Sequence, residues 1–306
     1  MRHALFPLLL LILASCSGCN QDIKPVDLLS GMDGQIPTLS AVMMHSTRSG
    51  TLLFDEDLAS WSDFSSYPIP LEQVAIQGTA VTLVFREMVP PGSFVTVSGK
   101  VKDRSGNSTR FSTSLWGKNQ NPATVLLSEF TTKGTEKNPD RVELYVTKSG
   151  NMGGIVITDE TDRYVFPSLA VWAGEYLVVQ FQQGTTTETH HSTQLAGLAS
   201  NNGVIAVWTT PGSDAALMDA VTYSSITTTH DGWGNATVKE YAQEIALKGG
   251  WISAESTDAI PSTHLTATRS CNRKGTKDTN SREDWYVTTQ GHATFGASNW
   301  EEVYQP

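Results

Sequence analysis

Cysteine is scarce in this chain, cationic residues are outnumbered, and only one apolar run stands out. With three cysteines, Cys16, Cys19 and Cys271, in 306 residues, neither a disulfide scaffold nor a four-thiolate zinc cage can form. Lys and Arg number 21 against 31 Asp and Glu, for a formal net charge of −10. An acidic chain without a Lys/Arg cluster lacks the footprint that nucleic acid demands, so no nucleic-acid partner is expected. Past residue 14 no apolar stretch approaches the roughly 20 residues that a membrane-spanning helix needs. Also missing are the nucleophile elbow G-x-S-x-G, the phosphate-cradling and dinucleotide glycine motifs, HExxH, and the calcium loop with its central Gly and terminal Glu. No catalytic, cofactor-binding or metal-binding residue is assigned, and a non-enzymatic role is expected.

What the chain does carry begins at its N-terminus. Arg2 precedes an apolar run over residues 4–14, and small residues follow at Ser15, Ser17 and Gly18. A positive start, a short apolar core and small residues at the cut describe a secretory signal that is too short to span a bilayer. Leu13-Ala14-Ser15-Cys16 resembles the lipobox of bacterial lipoproteins. That resemblance implies removal of residues 1–15 as a signal peptide and attachment to a membrane through palmitate-type chains on Cys16. Several acyl chains on one residue anchor firmly where a single chain, at ~0.8 kcal/mol per buried methylene, binds only marginally. A cell-envelope location follows, and Ser17, where inner-membrane lipoproteins carry Asp, favours the outer membrane. Residues 16–35 read as the lipidated Cys and a flexible tether, being short of aromatics and rich in Gly, Ser and Asp. Cys19 and Cys271 leave two readings open: a disulfide, or a buried thiol at Cys271 acting as a small hydrophobe.

From residue 36 to 116 short β-rich runs alternate with turn residues, and strands are expected at 39–44, 51–54, 80–85, 94–101 and 109–114. Val101-Lys102-Asp103 followed by Ser105-Gly106-Asn107-Ser108 is the clearest hairpin, because Asp, Gly and Asn accept positive φ. It resembles the last hairpin of bacterial Ig-like or fibronectin-like modules, which implies a β-sandwich acting as a spacer. Residues 116–122 form a polar Gly/Pro break and are read as the domain boundary and a protease-sensitive hinge.

Strand patterns resume after Ala123. Ser128-Glu129-Phe130, residues 140–145, residues 154–159, residues 173–179, residues 219–223 and the closing pieces 278–280, 284–287 and 293–299 fall in order. Together they resemble the lamin-tail domain, an Ig-type sandwich. The resemblance implies that residues 123–306 fold as a lamin-tail-like β-sandwich and that Asp284-Trp285-Tyr286-Val287 supplies a closing strand pairing with much earlier strands. Arg141 and Ile155 stand where that family carries Trp, so Trp172, Trp208 or Trp285 is expected to fill the core instead. Residues 224–266 are additional material, with apolar positions at helical spacing over 236–248 and a Gly249-Gly250 stop. The whole chain is thus expected to be all-β, two β-sandwich (Ig-like) domains in tandem, the second with a short helical insertion. Its expected role is non-catalytic display of the second module to a protein or glycan partner, with self-assembly as a structural variant.

A rival reading is a secreted metal-dependent hydrolase whose site joins the His190 loop to the insertion 224–266. His190 and His191 lie in a Thr-rich run with Glu188, and His230, Asp231 and His264 are the distant partners such a site requires. Adjacent residues on an extended chain point in opposite directions, so the vicinal pair cannot chelate one ion together, and a solvated loop is the expected setting. The acidic groups Asp55-Glu56-Asp57, Asp159-Glu160 with Asp162, and Asp278 with Glu283-Asp284 lack calcium-loop spacing and read as solvated charge, weak calcium binding being the alternative.

Overall fold

A computed structural model describes residues 34–306 except 183, 188 and 194. The signal segment, Cys16, Cys19, most of the tether and Glu188 lie outside the described residues.

The first domain is a sandwich of two antiparallel sheets. Its strands are β1 (Leu39–Met44), β2 (Ser49–Phe54), β3 (Leu58–Tyr67), β4 (Leu71–Gln77), β5 (Ala80–Phe85), β6 (Phe94–Asp103) and β7 (Ser108–Trp116). One sheet runs β1-β2-β5-β4 and the other β3-β6-β7. Along β6 the inward set Val95, Val97, Gly99 and Val101 alternates with more exposed neighbours, the period-two pattern of a half-buried strand. These residues meet Leu52, Phe54, Val81, Leu83 and Phe85 from the facing sheet. Gly99 is required there: a Cβ would stand 2.6 Å from the Phe64 ring, which packs edge-on against Phe111 at 5.3 Å. The strands expected at 39–44 and 80–85 match β1 and β5, whereas β3 and β4 carry no advance signal because most of their residues face solvent.

The second domain contains β8 (Thr124–Thr131), β9 (Arg141–Lys148), β10 (Gly150–Asn151), β11 (Val156–Thr158), β12 (Arg163–Val165), β13 (Ala170–Val171), β14 (Tyr176–Gln180), β15 (His190–Ser192), β16 (Gly203–Trp208), β17 (Leu217–Ser224), α1 (Ala236–Leu247), β18 (Ile260–Pro261), β19 (Cys271–Arg273) and β20 (Trp285–Val287). A five-stranded sheet β12-β11-β16-β17-β18 packs on a six-stranded sheet β15-β14-β9-β8-β19-β20, and the apolar core collects between them. Every residue of β16 is buried because α1 covers its second face. The helix starts at Asn235, whose side chain accepts from Val238 N, and it buries Val238, Ala242 and Ile245. Trp208 Nε1 donates to Thr158 Oγ1 at 2.9 Å and to Tyr241 on the helix at 3.2 Å.

Three expectations need correction. Trp172 is 62% exposed and fills no core; beside Trp208 and Trp285, the insertion itself supplies the buried Trp233 and Trp251. The closing strand β20 pairs with the nearby β19, and β19 carries the long-range ladder to β8, with Cys271 opposite Phe130 and Asn272 opposite Glu129. Lastly, the break at 116–122 is no loose hinge. Gly117 bridges Pro91, Asn119 Nδ2 donates to Asn151 O at 2.8 Å and Gly153 O at 2.9 Å, and Ser213 Oγ donates to Val42 O at 3.2 Å. Gly92, at φ +79°, lies so close to Phe166 O that a Cβ would come within 2.3 Å.

Candidate functional site

The most elaborated region is the outer face of the six-stranded sheet. Along β9, Val142, Leu144 and Val146 enter the core, so Arg141, Glu143 and Tyr145 lie on the opposite side. That side is not left to water: a C-terminal strap, residues 293–304, crosses it. Thr294 donates from its backbone N and its Oγ1 to Glu129, at 3.0–3.1 Å. Gly296 N donates to Glu143 Oε2 at 2.5 Å. Asn299 Nδ2 reaches Ser128 O at 3.1 Å and Arg273 O at 2.9 Å, and Phe295 lies over the Arg141 guanidinium at 4.3 Å. Beyond these, Val303 bridges Thr288 and Tyr304 N donates to Val287 O, which covers the edge of β20.

Beneath the strap, Glu129 and Glu143 stand directly opposite each other on β8 and β9, both fully buried. Like charges in that position repel. Burial pushes Glu143 up to about 8; the Gly296 amide pulls against this and the Glu129 charge adds to it. Burial also raises Glu129, against donors from Ser270 and Thr294 and the nearby Arg141. Glu143 Oε1 is buried without a hydrogen-bond partner. Burial and mutual repulsion therefore favour a shared proton on the pair, with Glu143 the more strongly raised of the two.

A second buried cluster holds the neighbouring strands. Arg273 on β19 is 1% exposed; its guanidinium donates to Asp219 at 2.6 Å, to Asp278 at 3.0 Å and to Leu127 O at 2.6 Å, and it lies over the Trp285 ring at 4.6 Å. Asp284 accepts from Thr279 N and Oγ1. Asp284 is thus a buried structural partner and not solvated charge, whereas Asp278 stays exposed while pairing with Arg273. Between sheet and strap a cleft of about 540 Å³ opens, lined by Tyr145, Tyr176 and Tyr286 with Ser128, Lys274 and Asn299 among others. Tyr145 and Tyr176 are cross-strand neighbours with ring centroids 5.1 Å apart.

The histidines fall elsewhere. His190 is exposed beside Gly296, while His191 is buried in β15, its Nδ1 3.0 Å from the Tyr164 hydroxyl, so the solvated-loop setting fails for His191. The two do point opposite ways. His230 and Asp231 sit in a short turn before α1, and Asp231 pairs with Lys239 at 2.6 Å. His264 stacks near Tyr304. None of the three main clefts is lined by these residues. Among the described residues no group of three or more His, Cys, Asp or Glu could hold a metal ion. Asp159 caps a turn, accepting from Thr161 N and Asp162 N, and Asp57 pairs with Arg104. Cys271 is packed in the core and forms no disulfide among the described residues, Cys19 lying outside them.

Sequence reading singled out Glu129 and Glu143 only as letters of a motif and passed over Arg273. The available signal was a charged residue inside an otherwise apolar strand, which has to be partnered. No curated protein matches the chain. Residues 123–209 and 192–287 match a family described as a protein second domain, and since the two overlapping matches span more than half of the 306 residues, the chain belongs to that family.

Proposed function

We propose that the protein is a lipid-anchored, non-catalytic component of the cell envelope. Cys16 carries the acyl chains, the first sandwich serves as a spacer, and the second, lamin-tail-like module presents its strapped sheet face to a partner. The observation that carries this reading is the convergence at that face: Ser128-Glu129, Glu143 and residues 293–299, far apart in sequence, are joined there by direct hydrogen bonds. These are the segments on which the lamin-tail resemblance rests, and their meeting supports it. The most tightly held ionisable groups, Glu129, Glu143, Asp219 and Arg273, are spent on positioning strands and strap, as befits a rigid recognition surface. Outer-membrane placement follows the Cys16-Ser17 pair.

Two measurements test this. Cys16→Ala should move the protein from the membrane to the soluble fraction, with loss of labelled palmitate; a variant that stays acylated and membrane-bound would sink the anchor. The full chain used as bait in envelope extract should retain a partner that Gly296→Val, which crowds the strap, releases.

A further inference from the structure

The cleft under the strap has a composition that selects its ligand. Its phenol rings, Tyr145, Tyr176 and Tyr286, sit among the hydroxyl and amide groups of Ser128, Thr276, Ser298 and Asn299. Charge is balanced: Lys274 and Glu301 are the ionic side chains available, because the Arg273 guanidinium is turned into the buried cluster with Asp219 and Asp278. A phosphate, a polycation or a nucleic acid finds no net charge here. A purely apolar ligand would strand the polar lining without partners. What fits both is a neutral ring with apolar C–H faces and a hydroxylated rim.

We infer that this cleft is a saccharide-binding site, in which the Tyr145–Tyr176 pair offers aromatic faces to a pyranose ring and the strap residues Ser298 and Asn299 form the polar wall. Three observations carry it. The rings are half-buried and fixed on adjacent paired strands, 5.1 Å apart and tilted by 50°, so little side-chain freedom is lost on binding. The opposite wall is held in place, since Asn299 is tied to Ser128 O and Arg273 O and the Tyr286 hydroxyl donates to Trp300 O. The volume, about 540 Å³, lies within the ~300–1,000 Å³ of small-ligand sites. The inference rests on the partner-binding reading above and names the partner's chemistry as glycan.

The test is isothermal titration of the full chain, kept in a polyoxyethylene detergent that carries no sugar head group, with chitotetraose and with cellotetraose. Binding of either is the expected result, chitotetraose marking an N-acetylated strand and cellotetraose a plain glucan. Tyr145→Ala and Tyr176→Ala should each weaken it about tenfold, the loss of one aromatic contact. Tyr176→Phe keeps the ring and should bind as the parent does, which separates lost stacking from lost folding. No binding of either sugar at millimolar concentration, or unchanged affinity in both Ala variants, overturns the assignment. Retention of an envelope partner by a chain that binds neither sugar would remove the cleft assignment while leaving the binding-module reading in place.

Discussion

Raising the pH should loosen the second domain from within, because its buried acid pair is built to hold a proton. Glu143 is raised to about 8 from an ordinary 4.5, chiefly by burial. Between those two values the folded chain keeps a proton that the unfolded chain has already lost. Stability therefore falls as pH rises through this window: the contribution is complete below about 4.5 and gone above about 8. The gap corresponds to on the order of 4–5 kcal/mol, a large share of the ~5–15 kcal/mol typical of a domain. Glu160, raised to about 7 mainly by burial, contributes in the same direction. Thermal melts from pH 5 to pH 9 should show the second domain's transition dropping by ~10 °C or more. Glu143→Gln removes the titration while keeping an acceptor for Gly296 N, so its profile should be distinctly flatter, the residual slope belonging to Glu160 and to Asp140 and Asp219, which burial raises to about 6. A parent transition that is flat or rises over pH 5–8, or a Gln variant with the parent's full slope, would refute the reasoning.

Two further substitutions probe the buried cluster and its roof. Arg273→Met strands Asp219, 0% exposed at its side chain, as an uncompensated buried charge, and chemical denaturation should register a loss of about 3–5 kcal/mol; pairing it with Asp219→Leu should recover most of that. Trp285→Ala empties a site packed edge-on against Phe130 at 5.7 Å, and the second domain's unfolding midpoint should reflect about 3–5 kcal/mol lost while the first domain's core, which shares no residue with it, holds.

The sequence spoke clearly where one local rule decided the outcome. β6 alternates without interruption over Val95, Val97, Gly99 and Val101, and α1 announces itself by an Asn cap, an apolar stripe and a double glycine stop. It was silent at β3, where Ser60, Trp61, Ser62 and Ser65 are held by pairing to β6 and most side chains face solvent. Trp172 misled because aromaticity alone says nothing about which side of a turn a ring occupies. Residues 293–299 stood out only as a piece of the lamin-tail resemblance, and the course of the strap was not legible: residues 293–304 form almost no ladder, and their order comes from carboxylates more than a hundred residues upstream.

That dependence explains why two glutamates sit where strand propensity disfavours them. An apolar pair at 129 and 143 would stabilise the sheet more simply, but it would offer the strap amides no acceptor. Each backbone donor of Thr294 and Gly296 needs a partner at the point where the strap leaves water, and a carboxyl on the sheet, with two oxygens and about four acceptor sites, can take several donors at once. Glu129 accepts from two groups of Thr294, and Glu143 from the single amide of Gly296. The repulsion between the two carboxyls is met by protonating one of them, and the strap so held becomes the wall of the tyrosine cleft. The electrostatic cost in the sheet and the shape of the cleft are then one feature: loss of the acid pair should open the wall that Ser298 and Asn299 provide, so that Glu129→Leu combined with Glu143→Leu keeps the sandwich but frees the strap.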